Sequence, residues 1–429
     1  MCLMLPIKTL MIIKMKKITL LLIIAIFSGK MGAQQMPLSE ILDSIAANNP
    51  VVKMYDAEVR SMDAAAKGAR SWMPPTVGAG LLMTPYNPQR WSRKGEMLGM
   101  GSFAVSVEQM IPNKKKMDAN ENLMLALSSV EREKLTATLN ENFQDAKKLY
   151  YDWIVLDKKI KVVKDNKNML DFMIRNAEIR YKNGLGKISA YYKAKAALGS
   201  ADNMQLMYEN DIKVKRIRLN ALMGRNAMEE LEVEPDFNLN EYGLELFDPE
   251  LFYQNRSDLR GIDKEINIAK LKQDLEKQNL RPEFGVKFEN MFAFGGQPMQ
   301  YTLMVMAKIP LVPWARKMTD ANIESLQIKE EALLAKKKVM VNEYSGRAYG
   351  MRNELELNKK QIQLYENTII PALKNNYKLM QLGYEQNTED LFTLYDAWEK
   401  LNMTQLEYFD ILTKALQAQT ELDRLLERR

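Results

Sequence analysis

A ten-residue alternating pattern that occurs twice constrains this chain more than any other feature of its sequence. Residues 103–112 read FAVSVEQMIP and residues 301–310 read YTLMVMAKIP. Large side chains at every second position match the period of a β-strand rather than that of a helix. Residues 76–83 and 283–289 alternate in the same way just upstream. The sequence therefore predicts two β-hairpins in a chain that is otherwise charged and helical in pattern.

The two hairpins belong to a set of sequence features that occurs twice in the same order. The paired landmarks are Pro74 with Pro282, Phe103 with Tyr301, Asp118 with Asp320, and Gly184 with Gly383, at offsets of 208, 198, 202 and 199 residues. An ordered set with nearly constant spacing indicates a duplicated unit of roughly 200 residues, well beyond the length of a solenoid repeat. We expect a first repeat at residues 34–230, an inter-repeat linker at 231–248 and a second repeat at 249–429.

Each repeat has the same predicted plan of helix, β-hairpin and long helical hairpin. The opening helices are expected at residues 38–71 and 249–279, each ended by a proline-containing segment. The helical hairpins are expected at residues 113–223 and 315–429, with turns at residues 183–186 and at Gly383. Pro371 lies inside the second outgoing helix and predicts a kink or local unwinding there. The predicted fold class is mainly α with a β-barrel part.

One face of the predicted strands carries large apolar side chains, and the other carries polar or small ones. A half-buried hairpin on a soluble core has the same pattern, so alternation alone leaves both interpretations open. Strands of about 9 to 10 residues match a tilted transmembrane strand, and the polar segment 84–100 is typical of an extracellular loop. The expected membrane-facing residues are Val77, Leu81, Phe103, Val105, Phe284, Val286, Phe288, Tyr301 and Leu303.

Four strands in one chain cannot close a barrel. An open sheet edge is not tolerated in lipid, so the membrane interpretation requires several chains to pool their strands. Two chains are the minimum, and three are the favoured number.

Composition excludes several classes of function. The chain has no histidine, and its one cysteine is Cys2, so His-based catalysis, thiolate nucleophiles and His or Cys metal sites are not expected. Residues 1–33 have the basic, apolar and small-residue order of a secretory signal peptide. They hold five lysines and no acidic residue, so removal of the signal peptide lowers the formal net charge from +6 to +1. This small net charge gives no reason to expect a nucleic-acid partner. We expect no enzyme activity, no cofactor and no metal site.

The duplicated plan, the leader and the strand ends QMIPNKKK and AKIPLVPWARKM together resemble the TolC family of outer-membrane efflux channels. The resemblance implies a homotrimer with a 12-stranded outer-membrane β-barrel continued by a periplasmic α-helical tunnel. It places residues 231–248 in the equatorial region of that tunnel. It also implies location in the outer membrane of a Gram-negative bacterium, reaching into the periplasm.

The resemblance further assigns roles to the turns of the helical hairpins. It implies that they dock a periplasmic adaptor (membrane fusion) protein, which couples the channel to an inner-membrane pump. The matching tip residues are Tyr181, Gly184, Leu185, Ser189, Leu382, Gly383 and Thr388. Acids near the second turn are the candidates for a periplasmic gate: Glu385, Glu389 and Asp390. An ordinary acid at a helix start is the alternative for each of them.

The exported compound is left open by the sequence. The chain has 30 methionines in 429 residues, and thioethers suit soft cations such as Cu(I). Most of these methionines fit equally well as flexible core residues. Drugs or amphiphiles and heavy-metal cations therefore both stay as candidate cargo. A soluble periplasmic coiled-coil scaffold is the alternative function, although it leaves the two hairpins unexplained.

Overall fold

The computed structural model describes residues 35–92, 94–310 and 312–429. The predicted signal peptide at residues 1–33 lies outside the described residues. The described chain forms two compact units, a helical unit of residues 35–49, 142–240 and 353–421, and a sheet unit of residues 50–141, 241–352 and 422–429. Each unit takes segments from both predicted repeats. The repeat and linker boundaries themselves remain a prediction.

Helices make up most of the described chain. Their bounds are α1 Leu38–Asn48, α2 Pro50–Ala66, α3 Lys114–Lys182, α4 Ile188–Leu222, α5 Pro249–Asn255, α6 Ser257–Asn279, α7 Pro313–Leu364, α8 Ile370–Glu385 and α9 Leu391–Leu425. The strands are β1 Gln35–Met36, β2 Thr76–Leu82, β3 Ser102–Ile111, β4 Glu232–Val233, β5 Glu283–Ala293 and β6 Gln300–Lys308. No helix in the described part of the chain is long and apolar enough to cross a membrane.

Both opening helices differ from the single helices that the sequence predicts. The first is divided between Asn48 and Pro50 because a proline disfavours helical geometry at the residue before it. The second is divided at Arg256, whose backbone is extended at φ −81° and ψ 125°. Each prediction of one continuous helix is therefore wrong at one interior residue, and the first opening helix also ends at Ala66 rather than at Ser71.

The long helix α3 begins where the chain leaves β3. Asn113 precedes it, and the Asn113 side-chain oxygen accepts a hydrogen bond of 2.9 Å from the backbone N–H of Lys115. This interaction satisfies one of the free N–H groups at a helix start. Pro313 occupies the first position of α7, where a missing N–H costs nothing. Both helices thus begin shortly after a strand, at residues that suit a helix N-terminus.

The sheet unit contains one four-stranded antiparallel sheet with the order β2-β3-β5-β6. The pairings run without a break, from Thr76 opposite Glu108 to Leu82 opposite Ser102 and from Ser102 opposite Ala293 to Ile111 opposite Phe284. Strands β3, β5 and β6 have 10, 11 and 9 residues, whereas β2 has only 7. β2 is shorter than predicted because Pro75 precedes it and Met83, at φ 50°, turns the chain away after Leu82.

The helical unit packs α4, α8 and parts of α3 and α9 around one apolar core. Fully buried members of this core include Leu170, Met173, Ala194 and Leu394. Small alanines on α4 let helices approach closely, and larger side chains from α3 and α9 fill the space between them. A π-helical turn, Tyr365–Ile369, separates α7 from α8 just before Pro371. The predicted local unwinding at this proline is confirmed, since proline removes one helical N–H donor.

Candidate functional site

One face of the four-stranded sheet is apolar and exposed. Residues that pair directly across antiparallel strands lie on the same face. One such row is Val77, Val107, Phe288 and Leu303. All nine predicted membrane-facing residues share this face, and eight of them are exposed while Val105 is half-buried. Their role in contacting lipid remains a prediction.

The opposite face of the sheet is mostly polar or small, although Leu82, Met110, Met291, Met304 and Met306 also lie on it. Gly78, Ser106, Glu289 and Thr302 form one row across the four strands. Lys287 and Glu289, two residues apart on β5, form an ion pair of 2.9 Å on this face. A sheet with one apolar and one charged face suits a boundary between hydrocarbon and water.

The two loops at the far end of the sheet are joined to each other. Gly99 donates its backbone N–H to the carbonyl of Gly295 at 3.1 Å. The Gln297 side chain donates to the carbonyl of Gly99 at 2.6 Å. The rings of Trp91 and Phe294 stack with centroids 5.6 Å apart. A Cβ on Gly99 would lie 2.1 Å from the carbonyl oxygen of Trp91, so this approach requires glycine.

The first helical hairpin reverses through a tight C-terminal cap. Leu185 donates its N–H to the Arg180 carbonyl at 2.8 Å, and Gly184 donates to the Tyr181 carbonyl at 3.0 Å. Gly184 has a positive φ of 74°. This pair of bonds with a left-handed residue is a Schellman cap, and it requires a residue that tolerates positive φ. The side chains of residues 181–189, which include Ser189, are all exposed around this turn.

The second hairpin has the same cap at a different residue from the one predicted. Thr388 donates its N–H to the Gly383 carbonyl at 2.8 Å, and Asn387 donates to the Tyr384 carbonyl at 3.3 Å. The left-handed residue is Asn387 at φ 62°. Helix α8 continues to Glu385, so Gly383 lies inside its last turn. The prediction of Gly383 as the turn glycine is therefore wrong. Asparagine tolerates left-handed geometry well enough to replace glycine there.

Arg180 joins the two hairpin tips within the helical unit. Its guanidinium donates to the Tyr384 carbonyl at 2.9 Å and also to the Asn387 side-chain oxygen. The same group lies over the Tyr384 ring at 4.1 Å from its centroid. The geometry combines charged hydrogen bonds with a cation–π contact. We call this set the Arg180 clasp.

A cleft of about 700 Å³ opens between the two tips beside the Arg180 clasp. Of the predicted tip residues, Leu185 and Thr388 line it, together with the predicted acids Glu389 and Asp390. Leu382 is exposed on α8 outside the lining. Tyr181 is 49% exposed, whereas Tyr384, which has the same position in the second cap, is 3% exposed. The two tips therefore share a backbone design but present different surfaces.

The three predicted gate acids have different surroundings. Asp390 accepts hydrogen bonds from the N–H and the hydroxyl of Thr393, each at 2.8 Å, and so caps the start of α9. These bonds, the backbone one first, lower the pKa of Asp390. Glu385 is exposed and accepts a hydrogen bond from Gln381 at 3.1 Å. Glu389 lies beside Gly383, where a Cβ would meet its Cγ at 2.6 Å. A gating role for any of them stays a prediction.

Two residues of this site were missed by sequence reasoning. Arg180 is an ordinary helix residue in the sequence, and its partners lie more than 200 positions away. Asn387 carried a detectable signal, because asparagine after a helical stretch is a known cap residue. Among the described residues, no group of three or more His, Cys, Asp or Glu side chains could hold a metal ion.

Comparison with known proteins gives a family match for part of the chain and several structures with a similar fold. Residues 41–225 match the family model described as outer membrane efflux protein. No curated protein matches the sequence. The structure of the outer membrane protein VceC from Vibrio cholerae is similar with a TM-score of 0.71 and 15% identity, over 91% of this chain and 95% of VceC.

Two further channels are similar over the same extent. The Neisseria gonorrhoeae MtrE outer membrane channel, in its open state, gives a TM-score of 0.69 at 12% identity, over 91% of this chain and 89% of MtrE. The channel-forming protein CusC gives 0.72 at 11% identity, over 92% of both chains. The fold is therefore that of outer-membrane channel subunits.

The family model adds a sequence match to this shared fold. It covers the α1 to α4 segments and the first hairpin. Residues 41–225 thus match the outer membrane efflux protein family, the described chain shares the fold of outer-membrane channels, and the resemblance found in the sequence is confirmed.

Proposed function

We propose that the protein is the outer-membrane channel of a tripartite efflux or type I export system. It acts as a passive duct with no catalytic step. The observation that carries this proposal is the sheet, whose apolar face stays exposed along all four strands. A large apolar patch is costly in water and favourable against lipid. A soluble periplasmic scaffold would leave this face in water.

Three chains are proposed to form the closed barrel. In one chain β2 and β6 are the two edges of the sheet. Since β2 and β6 run in opposite directions, β6 of one protomer can pair antiparallel with β2 of the next. Closure removes the edges, and the polar face with Lys287 and Glu289 then lines the lumen.

The hairpin tips are the proposed docking site for a periplasmic adaptor protein, which would couple the channel to an inner-membrane pump. The exposed tip side chains Tyr181 and Leu185 support this assignment, since they are large and apolar in a polar surface. The proposed cargo is drugs or amphiphiles, or heavy-metal cations. Glu385, Glu389 and Asp390 are the proposed gate acids.

Cysteine cross-linking tests the barrel directly. Cys2 is the one cysteine in the sequence, so a Cys2→Ser chain is a clean background. Ala79→Cys on β2 is combined in turn with Tyr301→Cys, Leu303→Cys and Val305→Cys on β6, all on the apolar face. We expect one combination to give disulfide-linked dimers and trimers in outer-membrane fractions.

The matched control is Ala79→Cys with Met304→Cys. Met304 lies on the opposite face of β6, so this pair should not cross-link even when the strands are adjacent. Recovery of the protein as a soluble periplasmic monomer, with no cross-link in any combination, would contradict the channel.

A further inference from the structure

Three methionines from separate segments line one cavity of the sheet unit. The cavity has a volume of about 310 Å³, and its lining includes Met73, Met110, Met117, Lys116 and Glu283. Met73 follows α2, Met110 is on β3 and Met117 is in the first turn of α3. The chain thus brings together thioethers that lie up to 44 positions apart in sequence.

A fourth methionine, Met306, lies close to Met110 across a glycine. Gly285 pairs with Met110 on one side and with Met306 on the other. A Cβ on Gly285 would lie 2.5 Å from the Met110 sulfur and 3.4 Å from the Met306 methyl group. Both side-chain ends therefore occupy the space that glycine leaves open. We call Met73, Met110, Met117 and Met306 the methionine pocket.

Packing alone does not account for these four side chains. Met73 is 64% exposed, and the other three are half-buried, so none of the four is an enclosed core residue; methionine is also common at adaptable binding surfaces. Lys116 and Glu283 form an ion pair of 2.7 Å beside the cavity. Their charges offset each other, so the thioethers are left as the soft donor atoms of the lining.

We propose that the methionine pocket binds a soft monovalent cation, Cu(I), with Ag(I) as a redox-inert analogue. Thioether ligands select such ions over harder divalent cations. Neutral ligands without a thiolate hold the ion loosely, which suits a site from which cargo must leave. Met110 and Met306 lie on the sheet face that lines the lumen if the proposed function holds, and the pocket then narrows the cargo of that channel to soft metal ions.

Silver titration of the full-length protein tests the site. The protein is extracted from outer membranes in detergent and titrated with Ag(I) in chloride-free buffer. X-ray absorption at the silver edge then reports sulfur ligands. We expect the Met110→Leu, Met306→Leu double variant to lower the Ag(I) affinity by at least about tenfold, the range seen when metal-site groups are removed. Leucine keeps the side-chain volume, so packing is preserved.

Glycine substitution gives a second test with a matched control. Gly285→Ala places a methyl group between the two thioethers and should also weaken binding. Gly80→Ala lies on the same face of β2, where a Cβ meets nothing within 4 Å, and should leave binding unchanged. Met97→Leu with Met299→Leu changes two exposed loop methionines and should also have no effect.

Either of two results would contradict the proposed metal site. In the first, the wild-type protein binds no Ag(I) through sulfur. In the second, the double variant binds as tightly as the wild type. The same sample is run unheated on a denaturing gel. A heat-sensitive trimer without silver binding rejects the metal site and leaves the channel standing, whereas a protein that never forms this trimer rejects the channel itself.

Discussion

Arg256 is a buried charged residue of the sheet unit with several partners. It is 3% exposed, and its guanidinium makes a two-point pair with Asp258 at 3.0 and 2.6 Å. It also donates to the Leu425 carbonyl at 2.8 Å and lies 3.7 Å from the centroid of the Tyr344 ring. A buried charge needs such complete pairing. The interrupted helix at Arg256 is thus the backbone form that directs this side chain inward.

Asp258 makes the stability of this network depend on pH. Burial raises the pKa of Asp258, but the hydrogen bonds and charge of Arg256 and the hydroxyl of Tyr344 outweigh it, so the net pKa lies below the ordinary 3.8. Burial, with the bond to Asp258, raises the pKa of Tyr344 to about 12, so Tyr344 remains a donor. The stabilisation from Asp258 is therefore present above pH 3.8 and is lost as the pH falls through the folded-state pKa.

We expect Asp258→Asn to destabilise the protein by about 3–5 kcal/mol at pH 7, because Arg256 is left buried without a counter-charge. The deficit relative to wild type should shrink below pH 3.8. Thermal unfolding followed by helical circular dichroism at a series of pH values measures it. Asp263→Asn removes an exposed pair with Lys337 and should cost at most about 1 kcal/mol at any pH. An equal deficit at pH 7 and pH 3 would contradict this account.

At the scale of elements, the two hairpin tips show how one backbone design is reached from different sequences. Both reversals use the same pair of cap bonds, yet one has Gly184 and the other Asn387 in the left-handed position. Positive φ is what the turn requires, and two residue types supply it. The Arg180 clasp then joins the two caps through the Asn387 side chain, a contact that glycine could not make.

Removing the Arg180 clasp should loosen the second tip. A hydrogen bond to a charged group contributes about 1.5–3 kcal/mol, so Arg180→Ala should speed amide hydrogen exchange at residues 384–390 by about tenfold or more. Lys182→Ala is the control, because Lys182 is exposed and pairs with Glu178 of its own helix. Unchanged exchange in Arg180→Ala would show that the cap bonds alone hold the tip.

The sequence predicted the elements where a local rule decided them. Alternation placed every predicted membrane-facing residue on one face, since a strand has a strict two-residue period. Pro371 marked the π-helical turn because its ring forbids a helical bond. Gly383 was misassigned because two residue types can end a helix within four positions. The break at Arg256 was invisible, since its cause is burial against residues near 425.

At the scale of the whole molecule, the orientation of the sheet decides where the protein can reside. Leu303 and Met304 are neighbours on β6 with exposed fractions of 65% and 47%, and they lie on opposite faces. Lysine on a lipid-facing strand position costs about 2–4 kcal/mol near the bilayer centre. Leu303→Lys should therefore reduce the yield of heat-sensitive trimer in outer-membrane fractions, whereas Met304→Lys should not.

Similar yields of trimer from the two lysine variants would contradict this orientation of the sheet.

Unlike the faces of the strands, contacts between distant segments could not be predicted from the sequence. The methionine pocket and the Arg180 clasp each join segments whose separation in sequence carries no local signal. Their formation depends on how the elements pack, which no period or cap motif specifies.

The strand order of the sheet also indicates how the chain could have arisen by gene duplication. Strands β2 and β3 come from one half of the chain and β5 and β6 from the other, and the β3–β5 pairing is antiparallel like the pairing inside each half. A half-length ancestor with one β-hairpin and one helical hairpin would form the proposed 12-stranded barrel as a hexamer. Fusion of two such genes would require only a connecting segment. Each copy would then be free to diverge, as the exposed Tyr181 and the buried Tyr384 have done.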